Sequence, residues 1–284
     1  MPIAPPAVVV GAARVPLPFG LFSTFSYRPA SADRWEAGIS WESINCDPAD
    51  GIGLFDWCTP ASTVGLPKDF THETPGDRVA TPFTVYGNFK CSPVGYPGDM
   101  AQARATEHLE AREEARVENA FWTGNLGNVP NLAGVGMDAG SSVELFGGLS
   151  AKPGRALGLL EDYNAAEYGS LGIIHMTRGV ATLLISLHLL EPRGGRLVTQ
   201  LGTPVSAGAG YPGTGVAGEA PPANQSWAFV SPAVFGYRSE IFTSSNRPGD
   251  LLNRNTNDLY AVAERNYLLG FDPCGVGAVL IDLT

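Results

Sequence analysis

The sequence predicts an α+β fold, and three observations carry this prediction. Residues 99–122 lie in the longest segment without Gly or Pro, in a chain that contains 35 Gly and 23 Pro. Residues 151–246 alternate helix-like and strand-like runs, which is typical of a compact α/β segment. Residues 259–271 and 275–283 are two apolar runs typical of long or buried strands, although the first could also form a helix.

The segment 99–122 is predicted to be one long helix. Ala, Leu, Glu, Arg and Gln, which are strong helix formers, fill most of it. Gly98 and Asp99 supply a turn and an N-cap, and Gly124 lies just past the expected end. A helix of this length spans roughly 35 Å. Its polar face is heavily charged and its apolar stripe is thin, so it is either solvated or packed against other subunits.

The charges on this helix do not all find partners on the helix itself. Residues three or four apart are neighbours on a helix surface, and Arg112 has no opposite charge at that spacing. One interpretation is a solvated surface helix. The other is that residues 101–122 follow a subunit boundary, with the charged face partly buried against neighbouring copies. The candidate assembly residues are Arg112, Glu113, Arg116, Tyr211, Glu264 and Arg265.

Composition narrows the function classes. Charged residues make up only 16% of the chain, against roughly 25% in an average soluble domain, which suggests that surface is buried against copies of the same chain. The net charge is −10 and the only lysines are Lys68, Lys90 and Lys152, which argues against sequence-independent binding of nucleic acid. The sequence has no apolar run of about 18 residues that would predict a membrane span, and its N-terminus lacks a signal-peptide pattern.

Patterns for catalysis and ligand binding are weak. The four cysteines and four histidines have no metal-ligand spacing, so the sequence predicts no metal, no cofactor and no disulfide framework. Residues 208–213 match G-x-G-x-x-G, but the third glycine runs into a Pro- and Gly-rich segment where no helix is expected to begin. His175 lies in an apolar strand and could act as a base, although a histidine satisfied within a packed core is the favoured interpretation.

The remaining elements follow from local signals. Residues 1–46, rich in Pro, Ala and Gly, predict an extended arm, and 47–98 predict a long hairpin or excursion. After a connector at 124–148, Pro153 opens a helix that Gly169 closes. The next predicted elements are a strand at 171–176, a helix capped by Thr177 and running through Leu190, strands at 196–205 and 227–242, and the loop 207–225.

This order of elements resembles the HK97-type major capsid protein fold. Four stretches also look like capsid proteins of tailed phages that infect actinobacteria: ALGLLEDYNAAEYGSLGIIHM, LGTPVSAGAGYPGTG, WAFVSPAVFGYRSEIF and NDLYAVAERNYLLGFDPCGVGAVLIDL. The resemblance implies an N-terminal arm (1–46), an extended loop (47–98), a peripheral domain with the spine helix (99–150 and 247–284) and an axial domain (151–246).

The resemblance also implies a function without enzymatic activity. A major capsid protein assembles as hexamers and pentamers into an icosahedral shell around double-stranded DNA, which it encloses without sequence-specific binding. Portal, scaffold and decoration proteins are implied as further partners, with assembly in the host cytoplasm and a final place in the virion. No long helical scaffolding segment precedes the arm, so scaffold function is expected from another chain or is unnecessary. Some members crosslink Lys to Asn, but Lys68 and Lys90 are interpreted as ordinary surface lysines and no crosslink is predicted.

Two alternatives stay open. An encapsulin-like compartment shell of the same fold would hold cargo enzyme in place of DNA. A cytosolic α/β hydrolase centred on residues 151–283 would need a defined pocket near His175. The capsid interpretation carries two structural expectations: the arm and the 47–98 excursion have few contacts within their own subunit, and the loop 207–225 is mobile or lines the symmetry axis of a capsomer.

Overall fold

The computed structural model describes residues 15–29, 34–43, 76–92, 97–127, 130–134, 142–244 and 251–284. Within these residues the chain is a mixed α+β protein with two large sheets, which confirms the predicted fold class. The helices are α1 (Gly98–Glu110), α2 (Glu113–Thr123), α3 (Pro153–Tyr163) and α4 (Arg178–Ser186). The strands are β1 (Tyr27–Arg28), β2 (Ile39–Ser43), β3 (Gly76–Ala80), β4 (Phe83–Cys91), β5 (Val143–Glu144), β6 (Ser150–Ala151), β7 (Ile173–Thr177), β8 (Leu190–Arg193), β9 (Arg196–Thr199), β10 (Pro204–Gly208), β11 (Gln225–Ser231), β12 (Phe235–Arg238), β13 (Phe242–Thr243), β14 (Leu252–Asn253), β15 (Asp258–Gly270) and β16 (Gly277–Asp282).

The first sheet has six strands arranged around β15. Strands β12, β13 and β14 pair with successive parts of β15, and β4 pairs with it antiparallel from Leu259–Cys91 to Tyr267–Phe83. β1 completes the sheet through a parallel pairing with β12. Helices α1 and α2 cover one face of this sheet and enclose the first apolar core. By sequence, residues 259–271 could form a strand or a helix. The 13-residue β15 shows that this segment is a strand.

The second sheet has eight strands in the order β5, β16, β11, β7, β10, β9 and β8, with β6 beside β16. Helices α3 and α4 pack on it and enclose a second apolar core. Thr177 caps α4 as predicted, because its Oγ1 accepts a hydrogen bond from the Val180 N–H at 3.4 Å. The helix ends at Ser186 and not at Leu190, since residues 190–193 pair with β9 as strand β8.

Both sheets cross the boundaries predicted for the peripheral and axial domains. Strand β16, from the segment 247–284, pairs with β11 in the second sheet, whereas β12, from the segment 151–246, pairs with β15 in the first. Local sequence patterns do not predict which distant segments pair as strands, because that pairing depends on long-range contacts. The domain limits therefore remain a prediction about sequence segments.

The predicted single helix of residues 99–122 is wrong, because a turn at Ala111 and Arg112 divides it into α1 and α2. The buried apolar positions mostly recur every four residues between Ala101 and Phe121. On a straight helix this spacing advances by about 40° per step, so five steps would turn the stripe about 200° away from the core. The break lets each helix bury its own share of the stripe.

The thin apolar stripe nevertheless holds both helices firmly on their own subunit. Ala101, Ala105 and Leu109 are buried against β4, where Gly87 lies directly under α1. A Cβ on Gly87 would stand 2.4 Å from the carbonyl oxygen of Ala105 and 2.4 Å from the amide nitrogen of Leu109. Small residues on both surfaces bring the helix unusually close to the sheet, so that a narrow stripe makes extensive contact.

The expectation that the N-terminal arm has few contacts within its own subunit is wrong for the described part of residues 15–43. Leu21 and Trp35 are fully buried. The arm's aromatic side chains pack against the first core: Phe22, Phe25 and Tyr27. Each aromatic ring contributes a large buried area, so an arm without a periodic apolar face can still dock firmly. Residues 1–14 and 30–33 lie outside the described residues.

One described part of the predicted excursion pairs with the arm. Strand β3 lies within residues 47–98 and pairs antiparallel with β2, from Ile39–Ala80 to Ser43–Gly76. Residues 44–75, which include Lys68, lie outside the described residues. Strand β4 was placed within the excursion, yet it belongs to the first sheet, and the expectation of few contacts within the subunit is wrong there.

The loop 207–225 is anchored through its first half, against the expectation of a long loop without internal structure. Gly210 crosses the backbone of α2 so closely that a Cβ would stand 1.8 Å from the Ala115 carbonyl oxygen. The indole N–H of Trp122 donates to the carbonyl oxygen of Thr214 at 3.0 Å. Tyr211 is buried between these contacts. The loop is therefore part of the packing between α2 and the second sheet; its predicted place at a symmetry axis stays a prediction.

Candidate functional site

The break between α1 and α2 opens onto a cleft of about 640 Å³ beside β4. Residues from both helices and from β4 line it, namely Thr84, Val85, Tyr86, Gly87, Asn88, His108, Leu109, Arg112, Glu113, Arg116 and Leu126. Arg112 and Arg116 are exposed, and neither has an ion-pair partner within the described residues. Tyr86 is 64% exposed on the same side of the molecule. The cleft therefore combines two free guanidinium groups with an exposed aromatic ring, a combination enriched at protein–protein contacts.

Glu113, the third predicted assembly residue at this cleft, forms its hydrogen bonds within its own subunit. Its carboxylate accepts hydrogen bonds from Arg265 Nη1 at 2.9 and 3.0 Å and from the Tyr267 hydroxyl at 2.6 Å. The side chains of Glu113 and Arg265 are each only 12% exposed. Burial, followed by the charge of Glu113, raises the pKa of Tyr267. This cluster fastens the first turn of α2 to β15, so Glu113 and Arg265 stabilise the subunit.

Tyr211, also predicted as an assembly residue, lies inside a buried polar network. Its hydroxyl is 3.1 Å from His175 Nδ1 and 2.8 Å from Ser206 Oγ, and His175 Nε2 is 2.9 Å from Ser231 Oγ. Burial lowers the pKa of His175 to about 3, so the ring is neutral at physiological pH. The favoured interpretation of His175 as a satisfied core histidine fits this geometry, and His175 lines neither the cleft beside β4 nor the smaller cleft beside α2.

Glu264, the last predicted assembly residue, is exposed on β15 opposite Tyr86 of β4. Of the six predicted assembly residues, three line the cleft: Arg112, Glu113 and Arg116. Glu264 is exposed on the surface, whereas Tyr211 and Arg265 belong to hydrogen-bond networks within the subunit. The resemblance raised Lys90 as a candidate for crosslinking. Its Nζ lies 2.9 Å from Asp258 Oδ2 in an ion pair at the surface. Whether any of these residues meets a second copy remains a prediction.

A second group of polar residues was missed by sequence analysis because its members are far apart in the chain. Glu114 and Glu118 on α2 accept hydrogen bonds from the backbone N–H groups of Phe22 and Leu21, each at 3.0 Å. Glu118 belongs to the heavily charged segment 99–122, yet it is only 1% exposed. Its partner Leu21 lies 97 residues away in sequence, and no local pattern signals such a contact.

Membrane and metal chemistry find no support in the described residues. No described helix is long and apolar enough to cross a bilayer. The same part of the chain holds no group of three or more His, Cys, Asp or Glu side chains arranged to bind a metal ion. Among the cysteines, Cys91 is a free, partly buried thiol.

Comparison with known proteins places the chain among capsid folds. No protein-family model matches the sequence, and no curated protein is detectably similar to it. The capsid of an empty GTA particle superposes with a TM-score of 0.56 at 14% identity, covering 99% of this chain and 95% of that one. A structure from Mycobacterium phage Cain gives 0.52 at 12% identity over 93% and 90% of the two chains. The holo-SrpI encapsulin complex from Synechococcus elongatus PCC 7942 gives 0.50 at 11% identity over 99% and 92%. Identities this low establish a shared fold and no more, so the chain has the HK97-type fold of capsid and encapsulin shells.

Proposed function

We propose that this chain is the major capsid protein of a tailed phage, forming hexamers and pentamers of an icosahedral shell around double-stranded DNA. The observation that carries the proposal is the extent of the fold match, which covers nearly the whole chain from the arm to the last strand. Scaffold, portal and decoration proteins are its further candidate partners, with assembly in the host cytoplasm and incorporation into the virion. In this proposal the chain is structural and catalyses no reaction.

Two surface features support self-assembly. Arg112 and Arg116 have no ion-pair partner within the described residues, and unpaired guanidinium groups readily form bidentate pairs with carboxylates across an interface. The nine-residue β4 pairs on one side with β15, and no other described strand pairs with it. A long exposed strand edge favours pairing with another chain unless something covers it. A second copy of the chain would cover both features.

The charge balance supports a DNA-enclosing role. A net charge of −10 with three lysines gives the subunit little affinity for phosphate, so packaged DNA could move inside the shell without adhering to it. The encapsulin likeness favours a second candidate, a compartment shell that holds protein cargo. Purified particles distinguish the two: we expect nuclease-protected double-stranded DNA of defined length. Particles that contain a cargo enzyme and no DNA would support the compartment and contradict the phage proposal.

Reversing the two free arginines at the cleft is expected to impair assembly. Arg112→Glu with Arg116→Glu replaces two positive charges by negative ones beside Glu113 and Glu110. Each surface pair contributes only about 0.5 kcal/mol, but a shell repeats the contact in every subunit. We expect normal circular dichroism and a several-fold lower yield of particles by sedimentation, with the largest loss at low ionic strength where repulsion is least screened.

The neutral double variant Arg112→Gln with Arg116→Gln is the matched control. It removes the attraction without adding repulsion, so its yield should lie between the wild type and the reversed variant and should depend less on salt. If the reversed variant assembles like the wild type at low ionic strength, α1 and α2 expose these charges only to solvent, and the cleft is not an assembly contact.

A further inference from the structure

A short segment of the arm, residues 18–22, is held by hydrogen bonds from three separate elements; we call it the arm strap. Arg178 of α4 donates to the carbonyl oxygen of Pro18 at 2.9 Å, and the Ala207 N–H donates to that of Phe19 at 2.7 Å. The carboxyl groups of Glu118 and Glu114 on α2 accept the next two backbone N–H groups of the strap. Every one of these bonds uses strap backbone, so its position depends on the partners and little on its own side chains.

The strap joins the two apolar cores of the subunit. Phe19 packs against the second core, whereas Leu21 is fully buried in the first. Between them Gly20 passes so close to α2 that a Cβ would stand 2.3 Å from Glu114 Oε1. Phe19 adopts φ 68°, a left-handed conformation that costs free energy in a residue with a Cβ. The strap is therefore a strained connection that its hydrogen bonds keep in place.

The carboxyl group of Glu118 bridges two chain segments. Its Oε1 accepts from the Leu21 N–H at 3.0 Å, and its Oε2 accepts from the Gly210 N–H at 2.8 Å. Glu110, at the end of α1, and Glu114, one turn before Glu118 on α2, border the same small cleft. Arg178 is the cation that borders this cleft within the described part of the chain, and it is bonded to the strap. Docking of the strap thus leaves Glu118 almost completely buried, beside two further carboxyl groups and one positive charge.

We propose that Glu118 is the proton-controlled latch of the arm strap: the strap stays docked on α2 while this carboxyl group carries a proton, and it loosens when the carboxyl ionises. An ionised group here must give up its hydration and face the carboxylate of Glu114. In the undocked subunit it regains water. Protonation and docking are therefore linked, and each favours the other.

The direction of the pH dependence follows from the same geometry. Burial is the largest cause that raises the pKa of Glu118 from 4.5 to about 7, and the hydrogen bonds from Gly210 and Leu21 oppose it only in part. Burial likewise raises the pKa of Glu114. An acid whose folded pKa is raised stabilises the docked state fully below its ordinary pKa and loses that contribution as the pH rises through the folded value. The strap should hold at acidic pH and loosen between pH 4.5 and about 7.

Hydrogen–deuterium exchange of the full-length subunit tests the latch. Protection of the peptide that contains Leu21 and Phe22, corrected for intrinsic exchange, should fall by about 30-fold between pH ~5.5 and ~8.5. A peptide from β16 serves as the internal reference and should not share this fall. The variant Glu118→Gln cannot ionise and retains one of the two acceptor oxygens. Its strap protection should fall with pH far less than that of the wild type, and any remaining fall is due to Glu114, whose pKa is also raised. Glu110→Gln removes an exposed charge at the end of α1 that borders the same cleft, and it should keep the wild-type profile.

The outcomes separate clearly. Constant protection in the wild type would overturn the latch. Protection that increases with pH would also overturn it, because the ionised carboxylate would then be the form that holds the strap. A Glu118→Gln variant as pH-dependent as the wild type would assign the titration to another group, such as Glu114, and would equally overturn it. If Glu118→Gln does not fold, the wild-type profile decides alone. The latch concerns contacts within one subunit, so its failure leaves the shell proposal untouched.

Discussion

Arg265→Met is expected to destabilise the subunit by about 3 kcal/mol. The substitution leaves the Glu113 carboxylate 12% exposed, without its cation and with Tyr267 as its remaining donor. A buried charge that loses its partner keeps its desolvation cost and loses the compensating attraction. Urea unfolding of the soluble subunit, followed by circular dichroism, measures the change as a lower midpoint at an unchanged slope.

The matched control is Arg254→Met, which removes an exposed arginine outside any described ion pair. It should change the free energy of unfolding by no more than about 0.5 kcal/mol. If Arg265→Met is as mild as this control, the contact between Glu113 and β15 does not fasten α2 to the first sheet, and the side chains would be free to pair between subunits as the sequence interpretation supposed.

Gly87→Ala is expected to destabilise the subunit by about 3 kcal/mol, because the added methyl group collides with the backbone of α1. Both nearest atoms, the Ala105 carbonyl oxygen and the Leu109 amide nitrogen, are 2.4 Å from the new Cβ. Backbone atoms cannot rotate away as a flexible side chain can, so the helix must move off the sheet. The same unfolding measurement reports the loss.

Gly158→Ala is the control for this substitution. Gly158 lies within α3 with no atom within 4 Å of an added Cβ, so alanine should stabilise the helix by up to about 1 kcal/mol. Opposite signs for these two glycine replacements would locate the close approach of helix and sheet at β4. Equal, small effects would mean that α1 packs more loosely on β4 than these 2.4 Å distances indicate.

Local signals predicted the elements whose ends are marked by single residues. The helix that Pro153 opens, the cap at Thr177 and the left-handed Gly124 that ends α2 all lie where the sequence placed them. The turn at Ala111 and Arg112 was not predicted, because every residue there favours a helix and the break serves the packing of two half-stripes against one sheet. Tertiary packing decided this position against local propensity.

The residues of the candidate site also differ in how far the sequence predicts their surroundings. Exposed charge on a helix is visible in sequence, which is why Arg112 and Arg116 could be singled out. Glu118 looks like its charged neighbours in sequence, and its burial depends on Leu21 and Gly210, both more than ninety residues away. Sequence periodicity reports which face of a helix is polar, but it does not report which polar residue a distant backbone segment will cover.

Electron microscopy of the purified full-length chain tests the central claim most directly. The proposed function predicts closed icosahedral shells built from hexamers and pentamers of the 29.9 kDa subunit. Shells that the charge-reversed Arg112 and Arg116 variant fails to form would link assembly to the cleft. A chain that remains a small monomer at every salt and protein concentration, with no particles, would contradict the account.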